Sequence, residues 1–309
     1  MTTMSDDDLP VTTGDIEAAA ERIGSRVRRT PVIQHGGVTL KLELLQHAGS
    51  FKPRGAFNRV LSEPVLPEAG LIAASGGNHG AALSFVGREL GIRVEIFMPS
   101  TSPAFKRANI ERFGATVTVI DGYYDDAQRE VEQRQAETGA LMVHPYDHAE
   151  TVAGQGTMAR ELEEQLGELD TLVVANGGGG FVAGQAAWFR DRVRIVAVEP
   201  ELSQCLRSSL LAGERQHVTV GGIAADSLGA QLGAIPWAIS RRFVDEAVVV
   251  SDDDIRAAQK ALWDDLRLVV EPGGATAYAA LMTGTVECRE GETTVVVVCG
   301  SNCDHNTVM

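Results

Sequence analysis

The segment TLVVANGGGGFVAGQAAWF, residues Thr171–Phe189, decides the fold class. It starts with the apolar, β-branched run Thr171–Ala175, which predicts a strand buried on both faces. Four consecutive glycines, Gly177 to Gly180, follow this strand and precede the helical stretch Phe181–Phe189. A buried strand that turns directly into a helix is typical of α/β proteins with a parallel sheet.

The same alternation of strands and helices continues along the chain in both directions. Downstream strands are predicted at Val193–Val198, Ala247–Val250 and Thr293–Val298. Upstream strands are predicted at Leu71–Ala74, Arg93–Met98, Thr116–Ile120 and Leu141–Val143, with helices between them at Asn78–Leu90, Pro103–Phe113 and Tyr123–Thr138. Because continuous apolar runs indicate strands covered on both faces, we expect an α/β fold of two open, mainly parallel sheets covered by helices.

The length of 309 residues is enough for about two domains. We expect a large, discontinuous domain made of residues 1–60 and 147–309, and a small domain made of residues 61–146. In open parallel sheets, ligands bind beyond the carboxyl ends of the strands. The loops after Ala74, Ala175, Val198 and Val298 are therefore the places to search for a site.

The charge of the chain excludes two classes of partner. Lys and Arg total 27 and Asp and Glu total 42, which gives a net charge of −15. A chain this acidic repels nucleic-acid phosphates and anionic lipid, so we expect neither partner. No apolar run reaches the roughly 18 residues of a membrane helix. The N-terminus contains Asp6, Asp7 and Asp8 without a basic residue, which predicts a frayed acidic tail rather than a secretory signal.

The cysteines indicate a reducing compartment. Cys205, Cys288, Cys299 and Cys303 form neither a Cys-x-x-Cys pair nor the Cys and His spacing of a zinc site. We therefore expect a cytoplasmic protein with reduced thiols.

The four glycines point to an anion. A strand–helix turn is satisfied by one glycine, whereas Gly177–Gly180 clear the loop of side chains, so that backbone N–H groups can converge on a phosphate. The kind of phosphate stays open, because Gly178, Gly180 and Ala183 also match G-x-G-x-x-A. Glu199 lies 21 residues after Gly178, which is the spacing of a dinucleotide site. A nicotinamide-dependent oxidoreductase is therefore an alternative.

A second loop, Ser50–Gly55, places a lysine directly before a predicted helix. Pro53 suits the first helical position and keeps Lys52 just outside it. The positive end of the helix dipole favours the neutral amine, which is the form that a Schiff base requires. Taken alone, the segment fits a solvated surface lysine slightly better.

Two more loops follow predicted strands. In Ser75–Gly80, the backbone N–H groups and the Ser75 hydroxyl can hold a carboxylate, and Asn78 offers both a donor and an acceptor. Ser75 and Asn78 are also ordinary helix N-caps, so either interpretation fits. The last loop begins at Cys299, which on its own is best explained as a small core residue.

Taken together and in this order, the loops resemble the fold-type II pyridoxal phosphate-dependent enzymes, which have the tryptophan synthase β-like fold. Within them the chain is most similar to the serine/threonine dehydratase (threonine ammonia-lyase) group, to which serine racemase is related. The resemblance runs from about Ile16 to Asp304. It is carried by the Schiff-base motif Ser50–Ala56, the substrate and ring-oxygen loop Ser75–Gly80, the phosphate cup Gly177–Gly180, and the late motifs Glu271–Ala275 and Cys299–Asn302.

The resemblance implies a role for each matching residue. Lys52 would bind the cofactor as a Schiff base and act as the catalytic base. The other implied cofactor contacts are Phe51 on the ring, Asn78 at the ring hydroxyl, Gly177, Gly178, Gly179 and Gly180 at the phosphate, and Cys299 at the pyridine nitrogen. The implied substrate contacts are Ser75, Gly76, Gly77, Asn78 and His79. The large domain would bind pyridoxal 5'-phosphate and the small domain would carry the substrate loop.

The implied reaction is β-elimination, which converts a 3-hydroxy amino acid such as L-threonine or L-serine to a 2-oxo acid and ammonia. A neutral Cys299 thiol would not keep the pyridine nitrogen protonated, so less charge would accumulate in the ring. Rapid loss of a β-leaving group is then favoured over reversible carbanion chemistry. The alternatives are β-replacement, elimination from another β-substituted amino acid, and, more remotely, the nicotinamide enzyme or a non-catalytic protein that binds the cofactor.

Departures from the family pattern narrow these expectations. Racemases of the family carry a second serine base where this chain has Gly76, so we expect no two-base racemisation. Glu199 matches one acid of the family's cation site, but the second position is Cys205, so we expect no metal. The family also implies a homodimer. The roles of Glu199, Tyr146 and His148, and the preferred enantiomer, stay open.

Overall fold

The computed structural model describes residues 9–304, so the acidic tail predicted around Asp6, Asp7 and Asp8 lies outside the described residues. The strands are β1 (Val32–His35), β2 (Val38–Lys41), β3 (Leu71–Ala74), β4 (Val94–Pro99), β5 (Thr116–Ile120), β6 (Leu141–Met142), β7 (Thr171–Ala175), β8 (Arg194–Pro200), β9 (Glu246–Val250) and β10 (Thr294–Val297). The helices are α1 (Thr13–Ile23), α2 (Pro53–Leu61), α3 (Asn78–Leu90), α4 (Ala104–Glu111), α5 (Tyr124–Thr138), α6 (Ala149–Leu166), α7 (Gly180–Phe189), α8 (Cys205–Ala212), α9 (Ala225–Leu228), α10 (Ala234–Phe243), α11 (Asp252–Leu266) and α12 (Pro272–Met282).

The strands form two sheets, which confirms the predicted fold class. The larger sheet has six strands in the order β1-β2-β10-β7-β8-β9, and the smaller has four in the order β5-β4-β3-β6. All pairs are parallel except β1 with β2. Every residue of β7 and of β10 is buried, as expected for strands covered by helices on both faces.

The antiparallel hairpin of β1 and β2 was not predicted. Its turn uses Gly36 and Gly37, both at positive φ (59° and 84°). The strands are only four residues long, and Gln34, Thr39 and Lys41 give them a polar composition, so no apolar run marks them. Lys41 is nevertheless completely buried, because its charge is paired inside the protein.

Close packing of three helices sets the position of the Lys52 segment. A Cβ atom at Gly154 of α6 would lie 2.6 Å from the Arg54 carbonyl oxygen in α2, and one at Gly156 would lie 2.8 Å from the Gly184 carbonyl oxygen in α7. These contacts explain the Gly154-Gln155-Gly156-Thr157 segment of α6, because only glycine allows α2 and α7 to approach so closely. The start of α2 is thereby held against α6, which in turn packs on α7.

The loops singled out in the sequence leave from the carboxyl ends of β3, β7, β8 and β10. The last of them meets the Lys52 segment directly, since Ser50 and Gly300 form an isolated β-bridge. Within residues 9–304, no helix is both long and apolar enough to cross a membrane. The domain boundaries at residues 60/61 and 146/147 stay a prediction.

Candidate active site

Lys52 lies immediately before Pro53, the first residue of α2, as the sequence predicts. Its Nζ atom donates a hydrogen bond to the Pro145 carbonyl oxygen (3.0 Å) and lies 5.1 Å from the centre of the Phe51 ring. Burial lowers the pKa of this amine to about 8, against the opposing effect of Cys299 and Glu271. A lysine with this pKa supplies a neutral amine close to physiological pH.

Phe51 joins the Lys52 segment to the last loop. Its ring stacks on Phe181 at the start of α7, with ring centres 3.9 Å apart and planes inclined by 19°. Its backbone N–H donates to the Cys299 carbonyl oxygen (3.3 Å). The Lys52 segment, the glycine loop and the end of β10 are therefore in direct contact.

The Ser75–Gly80 loop connects β3 to α3. The Ser75 hydroxyl accepts hydrogen bonds from the Gly77 and Gly80 backbone N–H groups (3.2 and 2.9 Å), which makes it a local cap for α3. A Cβ atom at Gly76 would lie 1.9 Å from Ser102 Oγ. The loop is thus held from inside at Ser75, while at Gly76 a neighbouring hydroxyl fills the space of a side chain.

The Asn78 amide is oriented from both ends. Its Nδ2 atom donates to Glu271 Oε1 (2.5 Å), and its Oδ1 atom accepts from Asn302 Nδ2 (2.7 Å). Asn302 Nδ2 also donates to the Ala48 carbonyl oxygen (2.7 Å). Asn78 is therefore fixed by Glu271 and Asn302, which lie in two other loops. Neither of these residues had a predicted role of its own.

His79 points into the small sheet. Its ring is buried, and Nε2 lies 2.7 Å from the Val143 carbonyl oxygen, to which it donates as a neutral ring. Burial, and then the charge of Lys52, lower the pKa of His79 to about 3. Since Nε2 is engaged within the protein, the predicted contact of His79 with a substrate is not made by this atom.

Gly177–Gly180 form a loop without side chains at the start of the ten-residue helix α7. Gly179 has φ +90°, a conformation that favours glycine. A Cβ atom at Gly178 would lie 2.6 Å from the Tyr146 ring, and one at Gly180 would lie 2.7 Å from the Tyr146 carbonyl oxygen. The loop therefore offers a compact cradle of backbone N–H groups, and Tyr146 lies against it.

Cys299, after β10, and Glu271, before α12, lie next to each other at the site. Burial, and then Glu271, raise the pKa of the Cys299 thiol, so it stays neutral; its Sγ atom lies 3.6 Å from the Gly273 carbonyl oxygen. Burial also raises the pKa of Glu271 to about 7. In the sequence, Glu271 is distinguished by being an acidic residue within the apolar run LVVEPGGATA, although no role of its own was predicted for it.

Lys106 and Asp226 form a further charged pair beside the substrate loop. Lys106 Nζ of α4 lies 2.6 Å from Asp226 Oδ2 of α9, and the lysine side chain is 1% exposed. A Cβ atom at Gly77 would lie 3.5 Å from Lys106 Nζ. No signal in the sequence distinguishes Lys106 from the exposed Lys and Arg residues around it.

Comparison with known proteins then decides the family. Residues 23–300 match the family model described as "Pyridoxal-phosphate dependent enzyme". The chain belongs to this family. It is 38% identical to a putative threonine dehydratase of Sinorhizobium fredii, over 94% of this chain and 91% of the relative. It is 36% identical to an L-threonine ammonia-lyase of Geobacter sulfurreducens, over 95% of this chain and 76% of the relative.

A solved structure supports the same family. The structure of maize serine racemase matches with a TM-score of 0.91 and 32% identity, and the match covers 96% of this chain and 95% of that one. The protein is a pyridoxal phosphate-dependent enzyme of the dehydratase and racemase group, which confirms both the resemblance and the cofactor predicted from the sequence.

The residues of the site fit pyridoxal phosphate. Lys52 is a buried amine of lowered pKa, as a Schiff base needs, and the glycine cradle at the start of α7 suits a phosphate. Cys299 and Asn78 supply a neutral thiol and an oriented amide on the same side of the site as Glu271. The nicotinamide alternative does not explain the Lys52 segment, and the family excludes it.

Glu199 has a local structural role. Its carboxylate accepts hydrogen bonds from the Leu206 and Arg207 backbone N–H groups (2.9 and 2.8 Å) at the start of α8, and from Asn176 Nδ2 (2.8 Å). In the part of the chain that the structure covers, no group of three or more His, Cys, Asp and Glu residues is placed to hold a metal ion.

The histidines next to Tyr146 also make local contacts. His144 Nδ1 accepts from the Asp147 backbone N–H (2.8 Å), and burial lowers the pKa of this ring to about 4. His148 Nδ1 lies 2.6 Å from Glu150 Oε2. Of this segment, Tyr146 is the residue that reaches the glycine cradle.

Proposed function

We propose that the protein catalyses β-elimination from a 3-hydroxy amino acid such as L-threonine or L-serine, with a 2-oxo acid and ammonia as products. One observation carries this proposal. The site contains a buried amine at Lys52 whose pKa is lowered to about 8, so that part of it is neutral near physiological pH, while Gly76, on the substrate loop, has no side chain that can exchange a proton. A single base is sufficient for elimination.

Pyridoxal phosphate, when bound, withdraws electrons from the α-carbon of an amino acid. Lys52 Nζ removes the α-proton, and its hydrogen bond to the Pro145 carbonyl oxygen (3.0 Å) keeps the amine directed. The electron pair of the broken C–H bond forms the Cα–Cβ double bond, while the Cβ–O bond breaks and the hydroxyl leaves as water. The proton that the hydroxyl gains balances the one that Lys52 Nζ has taken from the α-carbon, so the amine ends neutral. Addition of water and loss of ammonia then give the 2-oxo acid.

The substrate loop would hold the amino acid by its carboxylate. Gly76 and Asn78 present backbone N–H groups at the start of the 13-residue helix α3, whose dipole favours an anion there. The Ser75 hydroxyl supports this loop from inside through the Gly77 and Gly80 N–H groups. The loop would then orient the α-carbon toward Lys52. We propose that His79 acts through this loop, because its buried ring anchors the start of α3.

The remaining roles concern the cofactor. Gly177–Gly180 would bind its phosphate, Phe51 would pack on its ring, Asn78 would face its ring hydroxyl, and Cys299 would face its pyridine nitrogen. The raised pKa of the Cys299 thiol supports this last role, because a neutral thiol does not hold a proton on the ring. Elimination is favoured where the ring accumulates little charge.

Racemisation is the main competing reaction, since a matching structure is that of a serine racemase. It requires proton transfer on both faces of the α-carbon. Gly76 cannot supply a second proton, and Ser102 Oγ lies 1.9 Å from the position of its absent Cβ, so the loop has no free space for a side chain. We therefore expect elimination to be faster than stereoinversion.

The test uses the Lys52→Ala variant and the wild-type enzyme loaded with pyridoxal phosphate. Wild type should show an absorbance band near the visible edge that borohydride shifts, and should release ammonia from some members of a panel of L- and D-3-hydroxy amino acids. The variant should lose the band and at least about 10³-fold in turnover, because it lacks both the Schiff base and the proton acceptor. Turnover retained by the variant would refute the proposal, and thiol incorporation in place of ammonia release would indicate β-replacement.

We also propose the assembly and location that the family implies. The chain would act as a homodimer in the cytoplasm, with residues 1–60 and 147–309 as the cofactor domain and residues 61–146 as the substrate-loop domain. Free thiols at Cys205, Cys288, Cys299 and Cys303 support a reducing compartment. Light scattering coupled to size-exclusion chromatography measures the assembly, and a monomeric mass would contradict it.

A further inference from the structure

Glu271 is a buried acid that the proposed reaction does not use. It directly precedes Pro272, the first residue of α12, and its side chain does not cap that helix. Its backbone N–H donates to the Gly300 carbonyl oxygen (3.1 Å), and the residue is 1% exposed. Burying a carboxyl group without full pairing is costly, so its place in the site requires an explanation.

The Glu271 carboxyl makes one strong contact and leaves one oxygen without a partner. Oε1 accepts the hydrogen bond from Asn78 Nδ2 (2.5 Å). Oε2 is buried and has no hydrogen-bond partner among residues 9–304. A Cβ atom at residue 300 would lie 1.9 Å from Oε1, so Gly300 provides the space that the carboxyl occupies.

Charged and titratable groups face Glu271 from several elements. Lys52 lies at the start of α2, Lys106 on α4 and Asp226 on α9, while Cys299 and Cys303 lie in the loop after β10. Burial raises the pKa of Glu271 to about 7, against the opposing effects of Lys106 and Asn78. Glu271, after Cys299, in turn opposes the lowering of the Lys52 pKa by burial.

We propose that Glu271 is a positioning residue for the reaction: its carboxyl holds the Asn78 amide in place, and from its place against the Cys299–Gly300 loop, which also contacts the Lys52 segment, its charge acts on the Lys52 amine. The inference rests on the proposed function, because it assigns the Schiff base and the base to Lys52. An ionised Glu271 favours the Lys52 ammonium, whereas a neutral Glu271 releases the amine for reaction.

Three substitutions separate the two effects. Glu271→Gln keeps an acceptor for Asn78 Nδ2 and removes the charge. Glu271→Leu removes both, and Gly300→Ala displaces the carboxyl from Asn78 without changing its chemistry. Glu287→Gln, at an exposed acid outside the site, is the matched control.

The experiment measures how fast each full-length chain, freed of cofactor, captures added pyridoxal phosphate between pH 6 and 9.5. The imine absorbance reports capture, which requires the neutral amine. In Glu271→Gln the midpoint of the pH dependence should fall by about one unit, which makes capture below the midpoint about tenfold faster than in wild type. Glu287→Gln should behave as wild type. A structural role alone would not move this midpoint.

The second readout is the pH profile of kcat and KM for the loaded enzyme. In Glu271→Leu and Gly300→Ala, kcat should fall by a larger factor than KM rises, because both variants release the Nδ2 end of the Asn78 amide. Glu271→Gln should keep the wild-type kcat at its optimum pH. If Glu271→Gln does not fold, the midpoint of Glu271→Leu decides the effect of the charge, and Gly300→Ala decides the positioning of Asn78. An unchanged midpoint and an unchanged profile in the folded variants would overturn the inference and leave the proposed function standing. If wild type forms no imine at all, the proposed function fails first.

Discussion

Two groups of buried ionisable side chains lie in and around the site, and they are paired very differently. The first, here called the ion cluster, consists of Lys41, Glu43, Arg54 and Glu161. The second, called the site cluster, consists of Lys52, Lys106, Glu271 and Cys299. Only one residue separates Arg54 of the first cluster from Lys52 of the second.

The ion cluster is fully paired. Arg54 donates from Nε and Nη2 to both oxygens of Glu43 (2.8 and 2.7 Å), and from Nη2 to Glu161 Oε2 (2.9 Å). Lys41 Nζ donates to Glu161 Oε1 (2.5 Å) and to the Thr30 carbonyl oxygen (2.9 Å). Although burial alone would raise the pKa of Glu43, the Arg54 charge holds it below the usual range. Glu43 therefore stays ionised, and the Arg54–Glu161 pair holds α2 against α6.

The site cluster is only partly paired. Lys52 has one hydrogen bond to a carbonyl oxygen, and Glu271 Oε2 has no partner in the described chain. Burial consequently shifts the pKa of both groups toward their neutral forms, to about 8 for Lys52 and about 7 for Glu271. The comparison teaches that a buried acid paired with an arginine stays ionised, whereas a buried acid or amine with incomplete pairing has a proton that is available for chemistry.

The largest expected effect comes from breaking the ion cluster. Arg54→Met leaves Glu43 and Glu161 with unpaired buried charge, so the free energy of unfolding should fall by about 3–5 kcal/mol. Urea unfolding at pH 7 measures it. The control is Arg29→Met, which breaks an exposed pair with Glu164 and should cost no more than about 1 kcal/mol. Equal losses in the two variants would show that the buried pairing contributes nothing special.

The next effect tests Glu271 through the pH dependence of stability. Its pKa is 4.5 in the unfolded chain and about 7 in the folded one, so the folded state binds the extra proton between these values. The stability contributed by this group is therefore present below pH 4.5 and is lost as the pH rises through 7, by about 3 kcal/mol in total. Glu271→Gln should lack this loss. Unfolding of the cofactor-free chains at pH 4.5 and 8 measures the difference, and parallel curves would contradict the shift.

The smallest expected effect concerns Lys52. Its pKa is 10.5 in the unfolded chain and about 8 in the folded one, so burial of the ammonium opposes folding below pH 8. This shift costs about 3 kcal/mol at pH 7, and loss of the hydrogen bond to Pro145 offsets about 1 kcal/mol of the gain, so Lys52→Met should stabilise the cofactor-free chain by about 2 kcal/mol, although it abolishes turnover. The advantage should disappear as the pH approaches 10.5. A destabilised variant would mean that the Lys52 contacts outweigh the cost of burying its charge.

Much of the fold could be predicted from the sequence because parallel strands covered on both faces are continuous apolar runs. The helix Asn78–Leu90 and the strands Leu71–Ala74, Thr116–Ile120 and Thr171–Ala175 have the predicted bounds. The loops at their ends were also located correctly, since ligand-binding loops follow the carboxyl ends of parallel strands.

The residues that were missed depend on partners far away in the sequence. Lys41 is separated from Glu161 by 120 positions, and Asn78 is separated from Glu271 by 193. Local composition describes Lys41 and Lys106 as solvated lysines, because burial of a charge becomes possible only when the fold supplies its counter-charge. The predicted roles of the other site residues remain to be tested by substitution.

The strand order has a consequence for synthesis on the ribosome. The last strand, β10, lies between β2 and β7 in the middle of the larger sheet, and Cys299 and Gly300 follow it directly. Until β10 has emerged, β2 and β7 each present an open edge, and Lys52 has no Cys299 beside it. Nascent chains should therefore be unable to bind pyridoxal phosphate and should be prone to edge-to-edge association until β10 and the loop after it have been translated.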